Sequence, residues 1–241
     1  MDRLAPTQRP AGGAAQRQRW HHLLFLHWAL PEGTLRPLVP AALEIDGFDG
    51  DAYVGLVAFT MTGVRPVWAP ALPGLSSFHE VNVRTYVHDG RDPGVYFFSL
   101  DAASTLAVLV ARSLWHLPYH RARMRLARGD TIEYASERLW PGPRPACCAP
   151  RYEPVGAPAA AAPGTLEHFL AERYILYVER RGRLLAGRVH HAPYPLQGAR
   201  VHGLEESLLA PAGIVRGQGA PLAHYASGVG VEVFGLRRAA V

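Results

Sequence analysis

The decapeptide FHEVNVRTYV, residues 78–87, alternates in chemistry from one residue to the next. Successive side chains of a β-strand point to opposite faces of the sheet, so this stretch predicts a strand with one polar and one apolar face. The polar face carries Glu80, Asn82, Arg84 and Tyr86. The apolar face is built on Val81, Val83 and Val87. The polar row either meets water or lines a pocket, and most polar strand faces meet water.

The residues that follow predict a second strand beside this one. The turn DGRDPG, residues 89–94, separates residues 78–88 from the run VYFFSLDA, residues 95–102, and predicts a hairpin. Ser99 and Asp101 stand among bulky apolar residues of that second run. A polar spot within an apolar wall favours the pocket over the water-facing alternative.

Strand-like runs dominate the rest of the chain. The runs at 120–127 and 131–138, joined by RGD, predict another hairpin. Residues 104–115 predict a helix, capped by Ser104 or Asp101 and buried because it is apolar on nearly every side. Residues 165–180 predict a helix, capped by Thr165, that passes into a strand. Residues 141–164 contain seven prolines and predict a loop or linker.

These elements predict one α+β domain built on a curved or closed sheet. Residues 1–18 lack periodicity and predict a disordered tail, which leaves residues 19–238 for the single domain. The composition is that of a globular protein, with 49% hydrophobic and 19% charged residues.

Lysine is absent from the sequence: all 25 residues in the combined Lys and Arg count are arginine. No side chain can therefore form a Schiff base with a carbonyl substrate, and no P-loop lysine exists. The only cysteines, Cys147 and Cys148, are adjacent and cannot build a disulfide framework. The sequence predicts no cofactor.

The net charge of +5 raises the question of a nucleic-acid partner. The arginines of YHRARMRL, residues 119–126, would share a strand face, but no RNP-type or helix-turn-helix pattern accompanies them. We expect a solvated arginine face and no nucleic-acid partner. No apolar run reaches membrane-spanning length and no secretory signal opens the chain, so we expect a cytoplasmic protein without a membrane partner.

Twelve histidines raise the question of a metal site. His116 and His120 have helical spacing, but Pro118 lies between them and argues against a helix there. No HExxH or comparable ligand set occurs. We therefore predict no metal site.

Several phrases resemble one known family: LHWALP, LVPAALEIDGFDGDAYVGLVAFTM, FHEVNVRTYV, GVYFFSLDA, ARSLWHLPYHRARM, LAERYILY and HHAPYPLQGA. In this order they resemble the YqjF-like proteins, a domain-of-unknown-function family, over roughly residues 20–235. The resemblance implies a fold like that of acetoacetate decarboxylase, a closed, mostly antiparallel, barrel-like β structure around a central cavity with a few helices packed on it. It implies no activity, and the cavity lysine of acetoacetate decarboxylase has no counterpart in this lysine-free chain.

The resemblance strengthens the pocket alternative, which limits what the polar row can do. A buried Glu80 and Arg84 must pair with each other, with Asp101 or Arg112, or with a ligand, because an unpaired buried charge is costly. Arginine grips a carboxylate through two parallel hydrogen bonds, and a desolvated glutamate serves as a general acid or base. We predict that Glu80 and Arg84 are the catalytic pair.

The expected partner is a small polar or carboxylate metabolite bound in the cavity. The residues predicted to support ligand binding are Asn82, Tyr86, Ser99, Asp101, Arg112, Tyr119 and His191. Non-covalent acid–base, lyase-like chemistry is the first hypothesis. A binding or sensing module without catalysis and a structural, oligomerising domain are the alternatives, and the sequence leaves a homo-oligomer open.

Overall fold

The computed structural model describes residues 1–239, and across them the chain forms thirteen strands and three short α-helices. The strands are β1 (Gln16–Leu30), β2 (Glu44–Ile45), β3 (Ala52–Pro66), β4 (Phe78–His88), β5 (Pro93–Ala102), β6 (Tyr119–Arg128), β7 (Ile132–Trp140), β8 (Cys147–Ala159), β9 (Ile175–Arg180), β10 (Arg183–His191), β11 (Leu196–Glu206), β12 (Leu222–Val233) and β13 (Arg237–Arg238). The helices are α1 (Glu32–Leu35), α2 (Thr105–Val110) and α3 (Leu166–Ala171). The predicted α+β class is confirmed.

The strands form one curved sheet whose pairings close on themselves twice. The first closed path runs β1–β3–β4–β5–β6–β7–β8–β11–β12 and back to β1. The second leaves β5 through β9 and β10 and returns through β12 to β1. All pairings are antiparallel except those of β5 with β6 and with β9. The sheet is therefore curved, ring-like and mostly antiparallel, as predicted.

Strands β1, β3 and β4, which with β5 and β12 belong to both closed paths, are buried on both faces over much of their length. Leu24, Leu56 and Val83 point into a packed apolar core on one side. Phe25 and Val57, one residue further along their strands, point to the other side. The alternation of FHEVNVRTYV therefore separates a core face from a second buried face, and neither of them meets water.

The predicted helix at 104–115 is present, but it is not buried. Ser104 caps α2 by accepting a hydrogen bond from the Ala107 backbone N–H. The helix then continues as a π-helical turn over Ala111–Trp115. Half or more of the Leu106 and Leu114 side chains is exposed, at 52% and 68%. The segment covers a cavity instead of a packed core, which leaves part of its apolar surface open.

The proline-rich segment at 141–164 forms a long strand where a loop or linker was expected. Strand β8 pairs with β11 over most of its length and with β7 near its start. Pro150 and Pro154 lie an even number of residues apart, so their missing N–H groups fall on the same edge of the strand. Both prolines lie opposite residues of β11, so the strand forms although neither proline can donate a hydrogen bond to the ladder.

The N-terminal segment, expected to be a disordered tail through residue 18, lies against the sheet. Strand β1 begins at Gln16, within the expected tail. Pro6 is buried, and Arg9 forms an ion pair with Glu232 at 2.6 Å. These contacts join residues far apart in the chain, which composition alone does not reveal. Within residues 1–239 no helix has the length and apolar character needed to cross a membrane.

Candidate functional site

A cavity of about 650 Å³ lies on the second buried face, enclosed by strands of the path through β9 and β10. Its walls come from β1, β3, β4, β5, β9, β10 and β12, and α2 with its π-helical turn borders it. Aromatic and aliphatic side chains, among them Phe25, Phe59 and Phe97, make up most of the lining. This volume lies within the range of small-molecule sites.

The polar row of β4 lines this cavity. Glu80, Asn82 and Arg84 are all buried and all contribute to its wall. Tyr86, the fourth member, is fully buried behind Arg84 and does not reach the wall. The row therefore faces the protein interior, while Val81 and Val83 on the opposite face pack into the core.

Glu80 is a buried carboxyl group on the cavity wall. The Tyr119 hydroxyl, also on the cavity wall, donates a 2.7 Å hydrogen bond to Glu80 Oε2. Burial raises the pKa of Glu80 from its usual 4.5 to about 7, against the lowering effect of the Tyr119 and Asn82 hydrogen bonds. Burial also raises the pKa of Tyr119 well above its usual value, so Tyr119 stays a donor. Near neutral pH Glu80 populates both protonation states, which suits a general acid or base.

Arg84 is a buried cation that no carboxylate balances within residues 1–239. Its Nη2 donates to the Leu170 carbonyl at 3.1 Å, and its Nε is buried without a hydrogen-bond partner among the described residues. Leu170 belongs to the last turn of α3, where free carbonyls attract a cation. These partial charges are weaker than a carboxylate, so the guanidinium retains a capacity to bind an anion.

A buried network holds Arg84 in place from behind. The Tyr86 hydroxyl donates to the Leu170 carbonyl at 2.7 Å and lies 2.7 Å from His27 Nε2. Burial, assisted by the charge of Arg84, lowers the pKa of His27 well below its usual value, so this imidazole is neutral. Gly55 makes room for the ring, because a Cβ at this position would lie only 2.9 Å from His27 Cδ2.

Arg173 is a second buried cation on the cavity wall, and sequence reasoning missed it. Its Nη1 pairs with Asp46 Oδ2 at 2.7 Å, and its guanidinium carbon lies 4.2 Å from the centre of the Phe169 ring. Asp46, which also pairs with Arg3, is the acidic partner of Arg173, so of these two buried cations only Arg84 has no acidic partner within residues 1–239. The signal was the charged pair Glu172–Arg173 inside the apolar run FLAERYILYV, residues 169–178.

Tyr174 and Tyr194 complete this side of the wall and were not among the predicted site residues. Both depend on Glu172, whose Oε2 accepts from the Tyr174 hydroxyl at 2.5 Å. The other oxygen, Oε1, accepts from the Tyr194 backbone N–H at 2.9 Å. Glu172 is thus engaged in positioning the wall.

Ser99 and Asp101 do not line the cavity. Across the β4–β5 ladder Ser99 lies opposite Val83 and Asp101 opposite Val81, so both share the core face of the sheet. Asp101 accepts two hydrogen bonds of 2.7 Å from Arg138, and both side chains are buried. Asp101 therefore forms an internal ion pair and is not available to bind a ligand.

Arg112 and His191 also lie off the cavity wall. Arg112 is exposed and donates to the Tyr119 backbone carbonyl at 2.7 Å, in an open surface pocket that it shares with His116 and His120. His191 is buried behind the wall, where its ring stacks on Tyr174 with centres 4.5 Å apart. Burial lowers the pKa of His191 to about 4, so it is neutral.

Metal ligation has no candidate cluster within the described residues. Among residues 1–239 no three His, Cys, Asp or Glu side chains lie close enough together to share an ion. Two ionisable groups of the β4 row, the Glu80 carboxyl and the Arg84 guanidinium, are buried and face the cavity.

Comparison with known proteins identifies the family. Residues 17–230 match the DUF2071 family model, described as an uncharacterized conserved protein. The chain is 39% identical over 230 residues to the uncharacterized protein YqjF of Bacillus subtilis (strain 168), covering 95% of this chain and 94% of YqjF. The chain therefore belongs to the DUF2071, YqjF-like family.

Solved structures show the same fold at low sequence identity. An acetoacetate-decarboxylase-like enzyme from Sphingomonas wittichii RW1 has a TM-score of 0.64 and 15% identity, covering 96% of this chain and 95% of its own. Acetoacetate decarboxylase from Legionella pneumophila has a TM-score of 0.64 and 12% identity, covering 98% and 97%. The enduracididine biosynthesis enzyme MppR has a TM-score of 0.65 and 11% identity, covering 94% and 90%. The acetoacetate-decarboxylase-like fold is confirmed, and at these identities the likeness concerns the fold alone.

Proposed function

We propose that the cavity binds a carboxylate-bearing metabolite through Arg84, and that Glu80 transfers protons on the bound molecule. The observation that carries this proposal is the buried guanidinium of Arg84, which has no acidic partner within residues 1–239. A carboxylate ligand supplies that partner and satisfies the buried Nε as well.

Glu80 provides the chemistry in this proposal. A carboxylate ligand held at Arg84 extends along β4 towards Glu80, since both side chains line the same wall. With a pKa of about 7, Glu80 takes a proton from a carbon next to a carbonyl group and returns it at another position. Tyr119 keeps the carboxyl group oriented through its hydrogen bond. Enolisation, hydration and lyase reactions all use such a step, and none of them needs the lysine that this chain lacks.

One structural neighbour supports the ligand class. MppR has been solved in complex with pyruvate, which is a carboxylate. At 12% identity that complex assigns no residue of this chain a role. It supports the proposal only in that a protein of this fold accommodates a carboxylate ligand.

Binding is tested with Arg84→Met against a matched control, Arg112→Met, which removes an arginine outside the cavity. Thermal unfolding is followed with carboxylates and with their matched neutral amides. A ligand at about one hundred times its dissociation constant adds roughly 2.7 kcal/mol to the stability. We expect carboxylates to stabilise the wild type and Arg112→Met but not Arg84→Met, and amides to stabilise none of them.

The stability of Arg84→Met measured without ligand shows whether this variant is folded. Replacing an unbalanced buried charge with an apolar side chain of similar length leaves the fold as stable as before, or more so. A folded Arg84→Met that still responds to carboxylates contradicts the proposal.

Catalysis is tested separately with Glu80→Gln, which keeps the shape of the side chain and removes its acidity. Proton–deuterium exchange at the carbon next to the ligand carbonyl is followed by NMR in D₂O. Wild type should exchange this hydrogen, while Glu80→Gln should bind the ligand and lose the exchange. Binding without exchange in the wild type identifies a non-catalytic binding or sensing module.

A further inference from the structure

The cavity is longer than a short-chain acid. Phe78, Glu80, Asn82 and Arg84 are alternate residues of β4, and all of them line the same cavity. At a rise of about 3.3 Å per residue, the wall from Arg84 to Phe78 spans roughly 20 Å. At about 30 Å³ per water molecule, the 650 Å³ volume holds on the order of twenty water-sized groups. A three-carbon acid leaves most of this space unfilled.

The polar capacity of the wall is concentrated at one end. Arg173 is balanced by Asp46 and the Tyr174 hydroxyl is taken by Glu172. Deep in the cavity, the groups free to meet a ligand are therefore those of the β4 row. Most of the remaining lining is apolar, including Leu23, Phe59, Met61, Val64, Phe78 and Trp115, and its other polar side chains include Gln16, Gln18, Arg65 and Ser76.

The cavity opens through an apolar rim, which we define as Trp68, Leu72, Leu75, Leu106 and Val110. Each of these side chains lines the cavity and is also exposed, from 39% for Val110 to 84% for Trp68. A cluster of large exposed apolar side chains at a cavity mouth is typical of a surface that an apolar ligand covers. The rim continues the apolar lining outwards, so it extends the same site.

We infer that the ligand is an amphipathic monocarboxylate whose apolar part, a chain or ring system of about ten heavy atoms or more, runs from Arg84 to the apolar rim. This inference rests on the carboxylate binding proposed above and specifies its substrate class. The charged head meets the deep cation, the apolar body fills the lining, and the far end covers Leu106 and its neighbours.

The position of Arg65 raises the main alternative ligand class, the dicarboxylates. It lies at the cavity wall near the rim, half-buried, and its Nη1 donates to the Gly63 carbonyl at 3.1 Å. A dicarboxylate would place one carboxylate on Arg84 and the other on Arg65. Such a ligand would leave the apolar rim uncovered, so we favour the monocarboxylate.

The test measures affinity along a series of saturated monocarboxylates from three to fourteen carbons, by calorimetry below their micelle concentrations. Each methylene that enters an apolar lining strengthens binding by about fourfold. We expect affinity to rise at nearly this rate with chain length and to level off once the chain passes the rim. Alcohols of the same length should bind far more weakly than the acids, and the difference should vanish in Arg84→Met.

Leu106→Asn probes the rim, and Leu109→Asn is its matched control. The two leucines share a helix and are almost equally exposed, at 52% and 50%, but only Leu106 lines the cavity. Leu106→Asn should lower the affinity for long acids about tenfold and leave short acids unchanged. Leu109→Asn should match the wild type throughout.

The outcomes separate this inference from the proposed function. If short acids bind as tightly as long ones, carboxylate binding stands and the amphipathic ligand is excluded. If dicarboxylates bind more tightly than monocarboxylates of equal length, Arg65 is a second head-group site and the inference is overturned. If no acid of any length binds, the proposed function and this inference fall together.

Discussion

Glu80 links the stability of the protein to pH at the scale of a single residue. Its pKa rises from 4.5 in the unfolded chain to about 7 in the folded protein because the carboxyl group is buried. Between these pH values the unfolded chain releases the proton while the folded protein keeps it. The free energy of unfolding therefore falls as the pH rises through this window, by on the order of 3 kcal/mol.

We predict that Glu80→Gln removes this decline, because the amide is neutral at every pH. Urea unfolding of both proteins at pH 5 and pH 7.5 gives the difference directly. Comparing the variant with the wild type cancels the other buried groups that titrate nearby, such as Glu172 and His191. The exposed Glu133→Gln is the control and should keep the wild-type slope. If the free energy of unfolding falls between these pH values as much in Glu80→Gln as in the wild type, the Glu80 carboxyl ionises in the folded protein as it does in the unfolded chain.

The sequence predicted part of the site at this scale, and the limit is set by the register of the strands. The alternation along β4 was sufficient to predict that Glu80, Asn82 and Arg84 share a face. It did not determine the face of Asp101, because the β4–β5 ladder shifts register between Val83 and Arg84. The partner of Asp101, Arg138, lies 37 residues further along the chain, so no local pattern indicates this pair.

At the scale of the secondary-structure elements, local signals were reliable where partners are close in the chain. The hairpin of β4 and β5 and the capped α3 followed from turn and cap residues. The prediction that α2 is buried was wrong, because an apolar helix packs equally well on a core or over a cavity. Strand β8 was missed because its prolines are typical of loops, whereas its pairing with β11 depends on residues much further along the chain.

Strand β3 offers a test of how one element positions another. Gly55 lies opposite both His27 on β1 and Arg84 on β4. A Cβ at this position would lie 2.9 Å from His27 Cδ2 and 3.5 Å from Arg84 Cγ. The neutral imidazole would have to shift, and its contact with the Tyr86 hydroxyl behind Arg84 would be lost.

We predict that Gly55→Ala folds, loses about 1–3 kcal/mol of stability through overpacking, and binds carboxylates at least tenfold more weakly. Gly230→Ala on β12 is the control, because a Cβ there meets nothing within 4 Å. Urea unfolding and calorimetry measure the two effects. Wild-type affinity in a destabilised Gly55→Ala would show that Arg84 needs no support from His27 and Tyr86.

At the scale of the whole molecule, the two closed paths of the sheet explain why one chain holds both a packed core and a cavity. The shared strands β1, β3 and β4 present one set of alternate residues, such as Leu24, Leu56 and Val83, to the core and the other set, such as Phe25, Val57 and Arg84, to the cavity. The closing contacts, such as Val189 of β10 with Val233 of β12, join distant segments. The pattern of strands predicted a curved or closed sheet, whereas the central cavity followed from the family resemblance.

The N-terminal segment supplies the last prediction. Composition suggested a disordered tail, yet the Arg188 side chain donates to the Pro6 carbonyl at 3.1 Å and Arg3 pairs with Asp46. The exposed pair of Arg9 with Glu232 contributes little, about 0–1 kcal/mol, so the buried Pro6 and the partly buried pair of Arg3 with Asp46 should account for most of the stabilisation. We predict that removing residues 1–10 lowers the free energy of unfolding by about 1–2 kcal/mol.

Carboxylate affinity should survive this truncation, because Asp46 still balances Arg173 on the cavity wall. Urea unfolding and calorimetry of the truncated protein measure both effects. The control is Arg9→Ala, which removes only the exposed pair with Glu232 and should cost no more than about 1 kcal/mol. Unchanged stability in the truncated protein would mean that these residues behave in solution as the loose tail their composition suggests. A loss of affinity would instead show that Arg3 and Asp46 act together to hold the charge balance of the cavity.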